Sequence, residues 1–288
     1  MPRDAVAKPP FRWKRFLLRG SLIATGMWAV ATVSAKYLEN DLVFPGETAS
    51  RAWSEPSDPA TQDVWLASAD GTKLHAWYLR CEGGEGAILF SHGNGGNLSH
   101  RDERIHRLRA AFRRSVLVYD YPGYGKSEGR PTEAGILAAG DAALKWLAEK
   151  HPPDRIAFCG ESLGGAVAVD LATRHECEGL VLLSTFESLP RAAKCKFPLL
   201  PCETLMSNRF ESFAKVPNIH VPLFMAHGDA DEVIPLEQAR RLFDAANEPK
   251  RFRVRLGGTH GMAFHPDICA EADAFLAQHR KSATRSAP

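Results

Sequence analysis

The chain reads as an α/β protein with a mostly parallel sheet that opens antiparallel and carries helices on both faces. Three observations predict this. Short apolar runs alternate with longer helix-patterned stretches, as in βαβ units. The first two runs are joined through Asp70-Gly71, a tight-turn pair. The run Arg155 to Cys159 meets Gly160-Glu161-Ser162-Leu163-Gly164 and passes into a stretch rich in Ala, Gly and Leu, which gives strand, sharp turn and helix in succession.

The elements follow in order. Arg12, Lys14, Arg15 and Arg19 precede a charge-free run from Gly20 to Ala35. That run is slightly short of the roughly 20 residues that span a bilayer, and Phe16 to Leu18 extend it if Arg19 snorkels. Residues 16–37 are therefore read as a transmembrane anchor or signal segment, after a basic N-terminus of residues 1–15. Residues 38–61 form a linker, with Pro and Ser marking a loop from Gly46 to Pro59. Strands are predicted at Asp63–Ser68, Lys73–Leu79, Ala87–Ser91, Val116–Asp120, Ile156–Cys159, Leu180–Ser184, Leu223–Ala226 and Phe252–Leu256, eight in all. Helices are predicted at Thr132–Lys150, Leu163–Leu171 and Asp267–His279. The stretch 185–220 is too long for a simple crossover and rich in Phe, Leu and Pro. It is read as a small cap forming an apolar acyl pocket, or else as a surface loop with a short helix. Residues 281–288 are a polar tail.

Composition bounds the class. With 288 residues, 44% hydrophobic and 24% charged, the chain is long enough for one large domain with its own core. A formal net charge of +2 gives no reason to expect nucleic acid. The six cysteines form no C-x-x-C pair, and no H-E-x-x-H occurs, so neither a metal nor a cofactor is expected. Gly93-Asn94-Gly95-Gly96 lacks the Gly-Lys-Ser/Thr ending of a nucleotide-binding loop.

The chemistry gathers on Ser162. G-x-S-x-G between strand and helix is the nucleophile elbow, which lifts the serine above the sheet edge. A hydroxyl needs a base to be nucleophilic at neutral pH, and the base needs an orienting acid. Asp231 follows a strand ending in His227, and His260 follows another strand in Gly257-Gly258-Thr259-His260-Gly261. Ser162, Asp231 and His260 thus occur in the chain order Ser, Asp, His, each at a strand end. Asp229 is the competing acid, read otherwise as a turn residue bonded to its own loop. His227 is read as closing its strand and His265 as opening the last helix. Tyr121 and Tyr124 either line the pocket or pack beneath it, and Cys159 is a small buried hydrophobe.

On these motifs the chain resembles the serine α/β-hydrolase superfamily. The likeness rests on Gly160–Gly164, on His227-Gly228-x-x-Asp231-x-x-Ile234-Pro235 and on Gly258-Thr259-His260-Gly261. Leu89–Asn97 and Asp120–Ser127 add to it. It covers residues 62–280 and is most similar to the membrane-anchored branch that includes protein depalmitoylases and related bacterial hydrolases. The resemblance implies an α/β-hydrolase fold with an eight-stranded sheet and a small cap. It implies Ser162 as nucleophile, His260 as base and Asp231 as its partner. Leu163 and Asn94 would supply oxyanion N–H groups, and His92 would support the oxyanion loop.

The expected activity is hydrolysis of carboxylic esters or thioesters of lipophilic acyl substrates, without cofactor. A serine peptidase or amidase, or a non-catalytic membrane-tethered binding protein, are the alternatives. Tyr37–Pro45 resembles the branch's junction between anchor and hydrolase, which favours an uncleaved anchor over a signal peptide cut near Ala35 at Val33-Ser34-Ala35. The positive-inside rule puts the basic end in the cytoplasm and the hydrolase domain outside it. Export would permit a disulfide between Cys195 and Cys202.

Overall fold

The computed structural model describes residues 13–280, so the basic residues before Trp13 and the tail beyond Arg280 lie outside the described residues. The chain divides into two units, the first ending at Glu39 and the second beginning at Asn40. The first is one helix, α1 (Trp13–Tyr37), about 37 Å long at 1.5 Å per residue. Phe16, Leu17, Leu22, Ile23, Met27 and Val30 are all exposed on it. The segment Phe16–Tyr37 is long and apolar enough to cross a bilayer.

The short helix α2 (Glu39–Val43) leads into the second unit, whose eight strands are β1 (Gln62–Ala67), β2 (Lys73–Leu79), β3 (Ala87–Ser91), β4 (Ser115–Tyr119), β5 (Ile156–Glu161), β6 (Gly179–Leu183), β7 (Leu223–Gly228) and β8 (Lys250–Arg255). Their spatial order is β1-β2-β4-β3-β5-β6-β7-β8. β1 and β2 pair antiparallel, as do β2 and β4, and all later pairs are parallel. The expected strands are all present, two with the expected ends and the rest with ends moved by one or two residues.

The helices between them are α3 (Asp102–Phe112), α4 (Glu133–Ala148), α5 (Leu163–Arg174), α6 (Leu189–Lys196), α7 (Cys202–Leu205), α8 (Ser212–Lys215), α9 (Leu236–Ala245) and α10 (Pro266–His279). Alternate strand residues feed two separate cores. Leu89, Leu117, Phe158 and Leu182 pack with α4, α5 and α9, whereas Phe90, Val118, Cys159 and Leu183 pack with α3 and α10. A sheet covered on both faces needs strands apolar throughout, and β3 to β7 are buried at every position.

Two expectations are corrected. The segment expected as part of a linker is built into the second unit: Glu47 N–H donates to Gly96 O at 3.1 Å and Ala49 N–H to Gly125 O at 2.7 Å. Cys195 and Cys202 are free thiols. Cys195 sits on the exposed end of α6, where Gln238 Nε2 approaches its sulfur at 3.4 Å, while the buried Cys202 thiol points to Phe197 O. The region 185–220 is a set of short helices, α6 to α8, tied to α4. Glu133 accepts Phe210 N–H at 2.9 Å, and Asn208 Oδ1 accepts Glu133 N–H at 3.0 Å.

Candidate active site

Chain order reverses beside β3, since β4 lies on one side of it and β5 on the other. In open α/β sheets ligands bind at the carboxyl ends of strands at such a reversal. Here those ends are the loop after Ser91, which carries Asn94, and the turn after Glu161, which carries Ser162.

Ser162 has φ 52° and ψ −117°, a conformation costly for any residue but glycine. Sterics hold it there. A Cβ on Gly160 would run into the Gly164 carbonyl, and one on Gly164 into the Ser91 carbonyl. Only glycine lets the turn and α5 approach β3 so closely. Ser162 N–H donates to Leu183 O at 2.9 Å, and Thr185 Oγ1 donates to Ser162 O at 2.8 Å. The backbone is therefore pinned while the side chain is left at the edge of the sheet. Among the described residues the Ser162 hydroxyl makes no hydrogen bond to His260.

The Asn94 loop lies against this turn. A Cβ on Gly93 would sit 3.6 Å from Ser162 Cβ. Among the described residues neither Leu163 N–H nor Asn94 N–H donates to a backbone carbonyl outside the regular elements. Leu163 opens α5, so its N–H also carries the favourable end of the helix dipole. Tyr121 and Tyr124 prove to be buried supports of this loop. Tyr121 hydroxyl donates to His92 O at 2.6 Å and Tyr124 hydroxyl to Asn94 O at 2.9 Å. Burial pushes the Tyr124 hydroxyl pKa well above its usual value, so it remains a proton donor. His92 is fully buried, with Nδ1 2.7 Å from Gly93 O and Nε2 3.4 Å from Asp120 Oδ1.

The acid and the histidine meet across the ends of β7 and β8. His260 Nδ1 lies 2.8 Å from Asp231 Oδ2. Asp231 Oδ1 accepts the N–H groups of Val233 and Ile234, each at 2.9 Å. His227 Nε2 lies 2.9 Å from Ile234 O and 3.2 Å from Asp231 Oδ2, so it serves as a donor to both. Burial alone would raise the Asp231 carboxyl pKa. The hydrogen bonds from His227, His260 and Ile234 N–H outweigh it and hold the group ionised, below the usual carboxylate range. Asp229 is not in this pair: its Oδ1 accepts Gly257 N–H at 2.6 Å, bracing the neighbouring loop rather than its own.

Sequence reasoning missed several supports. Glu161, next to Ser162, is buried and paired with Arg104 of α3. Arg104 also lies 5.2 Å over the Phe264 ring, on the turn that carries His260. Arg101 donates to Gly95 O in the Asn94 loop. The spacing of Arg101 and Arg104 by three residues, one helical turn, was the only local signal that they face the same way. Asp231's contact with His227 was hidden because a strand-end histidine has no distinctive pattern.

Known proteins agree with this fold. Residues 86–201 match the α/β-hydrolase fold family. An uncharacterised protein of Mycobacterium tuberculosis is 40% identical over 206 residues, 70% of this chain and 73% of that protein. The uncharacterised membrane protein YNL320W of Saccharomyces cerevisiae is 30% identical over 258 residues, 85% of this chain and 89% of its own. A Pyrococcus furiosus esterase structure is alike in fold, with TM-score 0.64 and 21% identity over 77% of this chain and 91% of that one. The chain therefore belongs to the α/β-hydrolase family, and hydrolysis is the activity its fold supports.

Proposed function

We propose that this protein is a serine hydrolase that cleaves carboxylic ester or thioester bonds through an acyl-enzyme. The observation that carries the reading is Ser162 held at φ 52° at the head of α5, in a unit that also carries the His260–Asp231 pair. Ser162 Oγ attacks the acyl carbonyl while His260 Nε2 takes its proton. Asp231 holds Nδ1–H and stabilises the imidazolium. The negative oxygen of the tetrahedral intermediate is received by Leu163 N–H and Asn94 N–H, each such donor being worth about 2.7–4 kcal/mol in the transition state. Collapse expels the alcohol or thiol, which leaves with the proton from His260. Water, deprotonated by His260, then releases the acid and restores Ser162.

The apolar helix supports attachment to a membrane and hence a lipophilic acyl substrate. Arg12, Lys14, Arg15 and Arg19 before the apolar run support a cytoplasmic N-terminus with the hydrolase unit on the opposite side. Protease protection of the hydrolase unit in sealed cytoplasmic-side-out vesicles is the expected result, and its digestion there would reverse the orientation.

Fluorophosphonate labelling of the detergent-solubilised chain tests the chemistry. Wild type should label and Ser162→Ala should not. Labelling that persists in the variant would remove Ser162 as nucleophile. Matched ester and amide substrates separate the esterase from a peptidase: the ester should be turned over and the amide left uncleaved.

A further inference from the structure

The segment that enters the hydrolase unit after α2 runs along the Asn94 loop and is bonded to it repeatedly. Val43 O accepts Asn94 Nδ2–H at 2.9 Å. Glu47 N–H donates to Gly96 O at 3.1 Å, and Glu47 O accepts Asn97 Nδ2–H at 3.1 Å and Gly125 N–H at 2.9 Å. Ala52 O accepts a second bond from Asn97 Nδ2 at 2.7 Å. Gly46 lies flat on Tyr124, whose hydroxyl holds Asn94 O, and a Cβ there would stand 2.5 Å from the ring. Phe44 is buried edge-on to Phe210, with ring centroids 6.3 Å apart. Asn97 itself is fully buried, so its two donors have no solvent to turn to.

A free tether would need none of these bonds. A loop holding a transition-state donor needs all of them, because a misplacement of about 1 Å costs about 10²-fold in rate. We propose that residues 43–52 are a positioning strap for the oxyanion loop. The stretch by which the chain leaves its apolar helix sets where Asn94 N–H stands relative to Ser162. Val43 O, Gly46 and Glu47 are the positioning groups on the strap, and the side chains of Asn94, Asn97 and Tyr124 are their counterparts. This rests on reading Asn94 N–H as an oxyanion donor.

The test uses the full chain in detergent and two variants that leave that donor in place. Asn94→Ala keeps the backbone N–H and removes only the bond to Val43 O. Gly46→Val, on the strap, forces the segment off the Tyr124 ring. Each should lower kcat by about tenfold or more with KM within about twofold, since only a transition-state interaction is lost. Affinity for a boronic acid that mimics the tetrahedral adduct should fall by the same factor. The double variant should be little worse than the poorer single one, because both break one link. Wild-type kcat and boronate affinity in both variants, in an enzyme that turns over esters, would overturn the strap alone. Fully multiplicative effects would overturn it too. A folded wild type that turns over no ester would instead sink the serine-hydrolase reading, and the strap with it. If Gly46→Val fails to fold, Asn94→Ala decides through its kcat, KM and boronate affinity.

Discussion

At the amino end of the sheet, Arg114 and Glu178 pair through two hydrogen bonds, 2.5 and 3.0 Å, with side chains 2% and 1% exposed. Arg280 Nε adds a bond to Glu178 at 2.8 Å, and Asp273 lies 3.4 Å from Arg114. At the carboxyl end, His92 Nε2, Asp120 Oδ2, Ser184 Oγ and His227 Nδ1 are buried without a hydrogen-bond partner among the described residues. Ser162 there has φ 52° with ψ −117°, outside the left-handed well that Arg113 occupies at the amino end with φ 51° and ψ 43°. The amino end of the sheet thus pairs its buried charges, and the carboxyl end keeps a strained turn and unused capacity. Such strain survives only where surrounding structure over-determines it. The difference teaches that stability and chemistry are separable here, and substitutions can break or sharpen that separation.

The largest effect belongs to the carboxyl end. Asp231→Asn should lower kcat by about 10⁴-fold, while losing the ionised carboxylate's contribution costs part of the stability and leaves the protein folded at neutral pH. Ester turnover and calorimetry on one preparation check both halves. Glu178→Gln should do the reverse. It leaves Arg114 buried and half-paired, costing about 3–5 kcal/mol of stability, with kcat per folded molecule unchanged. A Glu178→Gln protein that loses activity and keeps its melting temperature would erase the contrast between the two ends.

His227→Phe probes the join between charge and chemistry, with a loss of about tenfold in kcat, the scale at which a supporting partner's removal is felt. It also carries a pH signature. The Asp231 carboxyl is held below its usual pKa in the folded protein, so its contribution is complete above the usual carboxylate value. That contribution is lost as pH falls through the folded value. Removing the His227 bond raises the folded value, so the variant should unfold at a higher pH than wild type on acidification. Acid titration followed by circular dichroism reads that shift. Asp229→Ala has the smallest effect, about 1 kcal/mol for the lost Gly257 bond, with catalysis kept. A loss of kcat comparable to that of Asp231→Asn would make Asp229 the acid instead.

Much of this was legible in the residues. The apolar runs marked every strand because a sheet covered on both faces demands them. The glycines around Ser162 marked the elbow because no side chain fits where Gly160 and Gly164 touch backbone. The order Ser162, Asp231, His260 was legible because each follows a strand, and the structure pairs His260 with Asp231. The strap was not legible. Residues 43–52 carry loop composition, and their bonds go to Asn94, Gly96, Asn97 and Gly125, more than forty residues away in sequence. Arg104 with Glu161, and Arg114 with Glu178, are likewise pairs that no local pattern announces.

The sequence by itself determined the layered fold, the apolar helix and the strained turn at Ser162, since period, turn chemistry and residue type are local properties. Tertiary structure alone decided that the cysteines stay apart and that the segment after the helix braces the Asn94 loop. Those outcomes depend on which distant groups share a buried space, where every donor must find an acceptor or go without.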